Sequence, residues 1–143
     1  MTTIAASVER LVMVADTQLT CGDSVIYRTS KLVRLPCGGV AGGSGVWNRA
    51  YAAMQYLAEG SRGEPPDIDG AALLILKDRR LWVAENGWPA FPLLDEFAAI
   101  GCGSQAAMVL MGAGKTPAQA VGIVCGFDAA TSEPLEVMRV KRK

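Results

Sequence analysis

Apolar positions along the chain fall into short blocks divided by turn residues. Thr3-Ile4-Ala5-Ala6-Ser7 leads through Val8-Glu9-Arg10 into Leu11-Val12-Met13-Val14-Ala15. Two strands are predicted there, over residues 3–8 and 10–16, and the nearly all-apolar second one suits a buried position. Residues 16–23 are turn-rich, and Val25-Ile26-Tyr27 predicts a brief strand. Lys31-Leu32-Val33-Arg34-Leu35 reads as another strand, stopped by Pro36, which has no N–H to give to a ladder. Residues 38–45 (Gly-Gly-Val-Ala-Gly-Gly-Ser-Gly) are glycine-rich around a small apolar centre.

The spacing then turns helical. Tyr51, Met54 and Leu57 or Ala58 share one face, and Gly60 supplies a stop, so a helix is predicted from about Trp47 to Glu59. Residues 60–70 form a proline-containing loop. Residues 72–76 and 81–84 flank Lys77-Asp78-Arg79-Arg80 as a hairpin, and short strands are expected near 90–91 and 97–100. Two helices follow, over about 104–112 and 117–127, with Thr116 able to cap the second and Pro117 suited to its first turn. A strand over 135–140 closes the chain. Hairpins with grouped helices make the fold class α+β.

Length and composition narrow the picture. Residues 1–143 fit a single domain, able to bury roughly two-thirds of its unfolded surface. Lys plus Arg and Asp plus Glu number 14 each, so the totals imply no polyanion-binding surface. The basic run Arg139, Lys141, Arg142, Lys143 reads as a frayed, solvated terminus rather than a nucleic-acid contact. No apolar stretch approaches the ~20 residues of a membrane span, and no signal-peptide pattern opens the chain. A cytoplasmic protein with neither nucleic-acid nor membrane partner is expected. Cys21, Cys37, Cys102 and Cys125 form no CxxC pair and read as reduced thiols.

The chain has no histidine, and that restricts its chemistry most. It can build no Ser-His-Asp triad, Cys-His dyad or common imidazole metal site. An enzyme of this composition takes its base from lysine, a carboxylate or an α-amine. Met1-Thr2 is a start that methionine aminopeptidases trim, which would leave hydroxyl and amine together on Thr2 as nucleophile and base. A plain first strand accounts for the same threonine. Asp16 and Lys31 are either solvated strand-end charges or, on neighbouring strands, a pair beside Thr2 that lowers the proton affinity of its hydroxyl and amine. The glycines of 42–45, at a strand-to-helix junction, offer N–H groups to an anion or simply permit tight strand packing. Gly112-Ala113-Gly114-Lys115-Thr116 imitates a phosphate loop, but Val109 stands where a glycine is required and a helix leads in. A helix-turn-helix connection explains it.

Taken in order, five blocks carry a resemblance. Thr2-Thr3-Ile4-Ala5, Ala15-Asp16-Thr17-Gln18-Leu19-Thr20, Lys31 to Leu35, Ala41-Gly42-Gly43-Ser44-Gly45 and Ile100-Gly101-Cys102-Gly103-Ser104 together resemble the proteasome β-subunit superfamily. Within it the pattern is similar to the bacterial HslV (ClpQ) N-terminal threonine peptidases, over Thr2 to about Thr131. The resemblance implies a four-layer sandwich, two antiparallel sheets between helix layers, in subunits that assemble into homo-oligomeric rings. It gives Thr2 as the nucleophile exposed by loss of Met1, with Asp16 and Lys31 tuning it. Gly42, followed by Gly43, would supply the N–H that binds the oxyanion. Cys102, Gly103 and Ser104 match the loop supporting the nucleophile's amine, and Asp128 with Thr131 matches an Asp-x-x-Ser/Thr element.

Three departures accompany this match. Cys102 stands where the family usually has serine. Only one helix, not two, fits between Gly45 and Ala71. The end at Val140-Lys-Arg-Lys shows no counterpart of the segment through which HslV engages its ATPase, so an ATPase unfoldase partner stays open. The expected function is a threonine-type endopeptidase acting on polypeptides inside a ring, with no metal or organic cofactor. A catalytically silent ring protein on the same fold and a small-amide amidohydrolase remain as alternatives.

Overall fold

Alternation along the first two strands sets the layering. In the computed structural model, which describes residues 2–21 and 25–141 (without the side chains of Cys21 and Val25), β1 (Thr3–Ser7) and β2 (Val12–Ala15) are buried on both faces. Ile4, Ala6, Met13 and Ala15 point into one apolar cluster, whereas Ala5, Val12 and Val14 point into another. Such strands are central layers, which is why they lack a polar face.

β1 is flanked by β2 and by β10 (Phe97–Gly101), and β2 also pairs with β11 (Glu136–Arg139), giving the antiparallel order β10-β1-β2-β11. A second antiparallel sheet runs β5 (Leu32–Arg34), β6 (Val40–Gly45), β7 (Ala71–Lys77), β8 (Arg80–Glu85) and β9 (Phe91–Pro92). Leu32, Val40, Leu74, Leu76 and Leu81 of this sheet meet Ile4 and Met13 of the first. Helix α1 (Trp47–Ala58) covers the outer face of the second sheet through Ala50, Ala53 and Met54. Helices α2 (Ser104–Gly112) and α3 (Pro117–Val124) cover the first through Ala107, Met111, Ala120, Val121 and Val124. The result is the expected four layers, helix, sheet, sheet, helix, with a single helix between β6 and β7.

Several boundaries differ from expectation. β2 begins at Val12 rather than residue 10, because residues 8–11 turn, with Leu11 at φ 50° and its N–H donating to the Val8 carbonyl (3.2 Å). Gln18–Cys21, expected as turn, is strand β3, paired with β4 (Val25–Arg28) in a separate two-stranded sheet. Its residues pass from buried Gln18 to exposed Thr20, so no apolar run announced it. α3 ends at Val124, short of 127. The basic tail is not frayed where it is described. Arg139 ends β11, and the Lys141 N–H donates to the Gly38 carbonyl at 2.8 Å. Met1, whose removal was expected, lies outside the described residues, as do Gly22, Asp23, Arg142 and Lys143.

Candidate active site

The ends of two sheets converge at Thr2. Thr2 precedes β1 and is almost fully buried, yet it lines a cleft of about 320 Å³. Its carbonyl accepts the Cys102 N–H (2.8 Å), and the Cys102 thiol lies 3.5 Å from the same oxygen. Gly101, paired with Thr3, has φ +97°, and a Cβ there would sit 1.8 Å from the Thr2 carbonyl oxygen. Only glycine lets the β10 turn close against Thr2 in this way.

Under Thr2 lies a fully buried ion pair. Lys31 Nζ donates to Asp16 Oδ1 at 3.0 Å, both side chains having no exposed surface. The same oxygen accepts the Thr3 N–H at 3.0 Å, so the pair is tied to the residue next to Thr2. Asp16 Oδ2 accepts the N–H groups of Gln18 (3.2 Å) and Ser132 (3.4 Å). A carboxylate ringed by donors is the compensation that burial of a charge requires. Burial lowers the Lys31 pKa from its ordinary value, against the raising influence of the Asp16 charge and hydrogen bond. Glu136 Oε1 accepts the N–H groups of Lys31 (2.9 Å) and Leu32 (3.2 Å), fixing the backbone that presents the ammonium.

A second chain of hydrogen bonds runs from β1 to the segment after α3. Thr131 Oγ1 donates to Asp128 Oδ2 (2.9 Å). A hydroxyl has one proton, so Thr3 Oγ1 is the donor in its 2.8 Å contact with Thr131 Oγ1. The Cys102 thiol donates to Asp128 Oδ2 at 3.0 Å. Burial first, and then this bond to a carboxylate, raise the thiol pKa. The Asp128 carboxyl is held below its ordinary value, chiefly by the Cys102 donor.

Thr2, Asp16, Lys31, Cys102, Asp128 and Thr131 are thus gathered in one region. Gly103 packs under β1, and Ser104 opens α2. Gly42 and Gly43 lie on β6. A Cβ on Gly42 would come within 2.9 Å of Ile4 Cδ1 and Leu32 Cδ2, so close packing between the sheets already requires glycine there. The β6 residues that line the cleft are Ser44 and Gly45. Sequence reasoning missed Ser132, Glu136, Glu85 and Asn86. The first two act more than 100 positions away along the chain, and no local pattern signals such a pairing.

No protein-family model and no curated protein sequence matches the chain. Solved structures do. Thiobacillus denitrificans BPH in complex with epoxomicin superposes with a TM-score of 0.70 at 15% identity, over 97% of this chain and 99% of that one. HslV from Trypanosoma brucei gives 0.68 at 20% identity, over 96% and 99%. The chain has the HslV-like proteasome β-subunit fold. An Anbu mutant from Hyphomicrobium sp. strain MC1 is similar as well, with a TM-score of 0.72 at 15% identity over 96% of this chain and 80% of that one. At these identities the likeness concerns the fold, that of N-terminal nucleophile hydrolases. Among the described residues no helix is long and apolar enough to cross a membrane.

Proposed function

We propose that this protein is a threonine-type peptidase whose nucleophile is Thr2, set free by removal of Met1. The observation that carries this reading is a buried Lys31–Asp16 pair bonded to the Thr3 amide directly behind a cleft-lining threonine. Burying an ammonium is costly, and a site that needs positive charge beside a hydroxyl gives it a purpose.

In this mechanism Thr2 Oγ attacks a peptide carbonyl while its proton passes to the Thr2 α-amine, directly or through water. The oxyanion is met by an N–H of the β6 glycine segment, for which the resemblance assigns Gly42. Collapse breaks the C–N bond. The α-ammonium returns its proton to the departing amine, leaving an ester on Thr2. Water, deprotonated by the same amine, then hydrolyses that ester and restores the hydroxyl. Lys31 lowers the proton affinity of hydroxyl and amine, and Asp16 orients Lys31. Cys102, with Asp128 and Thr131 behind it, holds the Thr2 carbonyl and orders the amine side.

Rings of identical subunits, polypeptide substrates and a cytoplasmic setting complete the reading. The test is hydrolysis of fluorogenic peptides by protein whose intact mass shows loss of Met1, with Thr2→Ala alongside. Wild type should turn over and form an epoxomicin adduct at Thr2. Equal hydrolysis by the two proteins, or a retained Met1 in fully active protein, would sink the assignment.

A further inference from the structure

Besides Thr2, Gly101 and Cys102, the cleft is lined by a wall that the hydrolytic step leaves unused. It is built from adjacent ends of three strands, in register as Gly45 with Ala71, Ser44 with Ala72, and Ala72 with Glu85. Its side chains are small except at one end, where Glu85 closes β8. Asn86 fixes that end. Its N–H donates to the Ala71 carbonyl (2.9 Å), and its Oδ1 accepts the Gly70 N–H (3.0 Å). The Glu85 side chain itself is exposed and has no ion-pair or hydrogen-bond partner among the described residues.

Resting on the reading of Thr2 as nucleophile, we infer that Glu85 makes the cleft selective for polypeptides with a lysine or arginine side chain beside the bond that is cut. Small Gly, Ala and Ser side chains leave a path for a long unbranched stem. A lysine or arginine lays such a stem along an apolar surface and keeps its charged tip in water. The tip then meets the Glu85 carboxylate. No lysine or arginine among the described residues lines the cleft, and the Thr2 α-amine serves there as the proton acceptor. The Lys31 ammonium has no exposed surface and is bonded to Asp16, so it offers a substrate side chain no contact. An acidic side chain at the same place would meet the Glu85 carboxylate.

The discriminating experiment uses fluorogenic peptides differing only at the residue before the cut, carrying Arg, Leu or Glu. An exposed ion pair changes binding by about twofold to fivefold, so the Arg-to-Leu ratio of kcat/KM should be of that size in wild type. Glu85→Gln should bring the ratio near one, and Glu85→Lys should turn the preference toward the Glu peptide. High salt should shrink the wild-type ratio. Ratios that do not move in either variant, with hydrolysis still dependent on Thr2, would overturn the inference. Should no peptide be cut in a Thr2-dependent way, the nucleophile assignment fails. Binding of the uncut Arg and Glu peptides to Thr2→Ala and to Thr2→Ala with Glu85→Lys then still decides the role of Glu85. Tighter Arg binding that the lysine reverses upholds it, and indifference to the substitution overturns it.

Discussion

Lys31 is the residue whose placement most needs a reason. Taking an ammonium wholly out of water costs several kcal/mol after relaxation, and the Asp16 carboxylate at 3.0 Å returns part of it. An apolar residue of similar volume would fill the same space at no electrostatic cost. Removing either partner alone is a different matter, since it strands the other charge. Lys31→Met leaves Asp16 with backbone donors only, and Asp16→Asn leaves the ammonium without its counter-charge. Each single variant is expected to lose about 3–5 kcal/mol in urea denaturation. The double variant should lose clearly less than the two together, since contacting partners couple. Additive losses would mean that the two side chains do not act as a pair. Restored stability in the double variant without any peptidase activity is the signature expected of a charge kept for chemistry.

Elements carry these residues to one place, and they do so with unequal visibility in the sequence. The apolar runs of β1, β2 and β7 and the helical spacing of α1 announced themselves, because burial on a regular element leaves a periodic trace. Strand β3 left none, since its Gln18 and Thr20 are polar, although its partner β4 was marked by the apolar run Val25-Ile26-Tyr27. Of the site, Thr2, Asp16 and Lys31 were legible through residue type and order, whereas Glu136 and Ser132 bond to residues over 100 positions away. Helix α3 shows how an element supports the site from outside it. Its Thr116 accepts the Gln119 N–H (3.1 Å) while the Gln119 side chain accepts the Thr116 N–H (3.0 Å), a reciprocal capping box. Val121 and Val124 then seat against the outer face of β1 and β2. Thr116→Ala should cost about 1 kcal/mol in chemical denaturation with an unchanged m-value. An effect within error would mean that packing alone holds α3.

For the whole molecule the open question is association, and exposed apolar side chains bear on it. Leu94 is 96% exposed, Phe127 79% and Val109 72%, and they belong to different parts of the sandwich. Leu94 follows edge strand β9 of one sheet, whereas Val109 lies on α2 and Phe127 follows α3, over the other sheet. A two-fold dimer joins one patch to itself, whereas a ring joins two different patches of every subunit, so separated apolar sites suit the ring. Native mass spectrometry at micromolar concentration should therefore show one closed oligomer rather than a monomer. Substituting Leu94→Asp and Phe127→Asp should shift that oligomer toward monomer. Because both side chains are already solvated, each change should alter subunit stability by no more than about 0.5 kcal/mol. Thr2-dependent hydrolysis of long polypeptides should fall with the oligomer, while short peptides, which need no enclosing chamber, should be affected less. A chain that stays monomeric as its concentration rises, with full activity on both substrates, would remove the ring and leave a free-standing hydrolase on this fold.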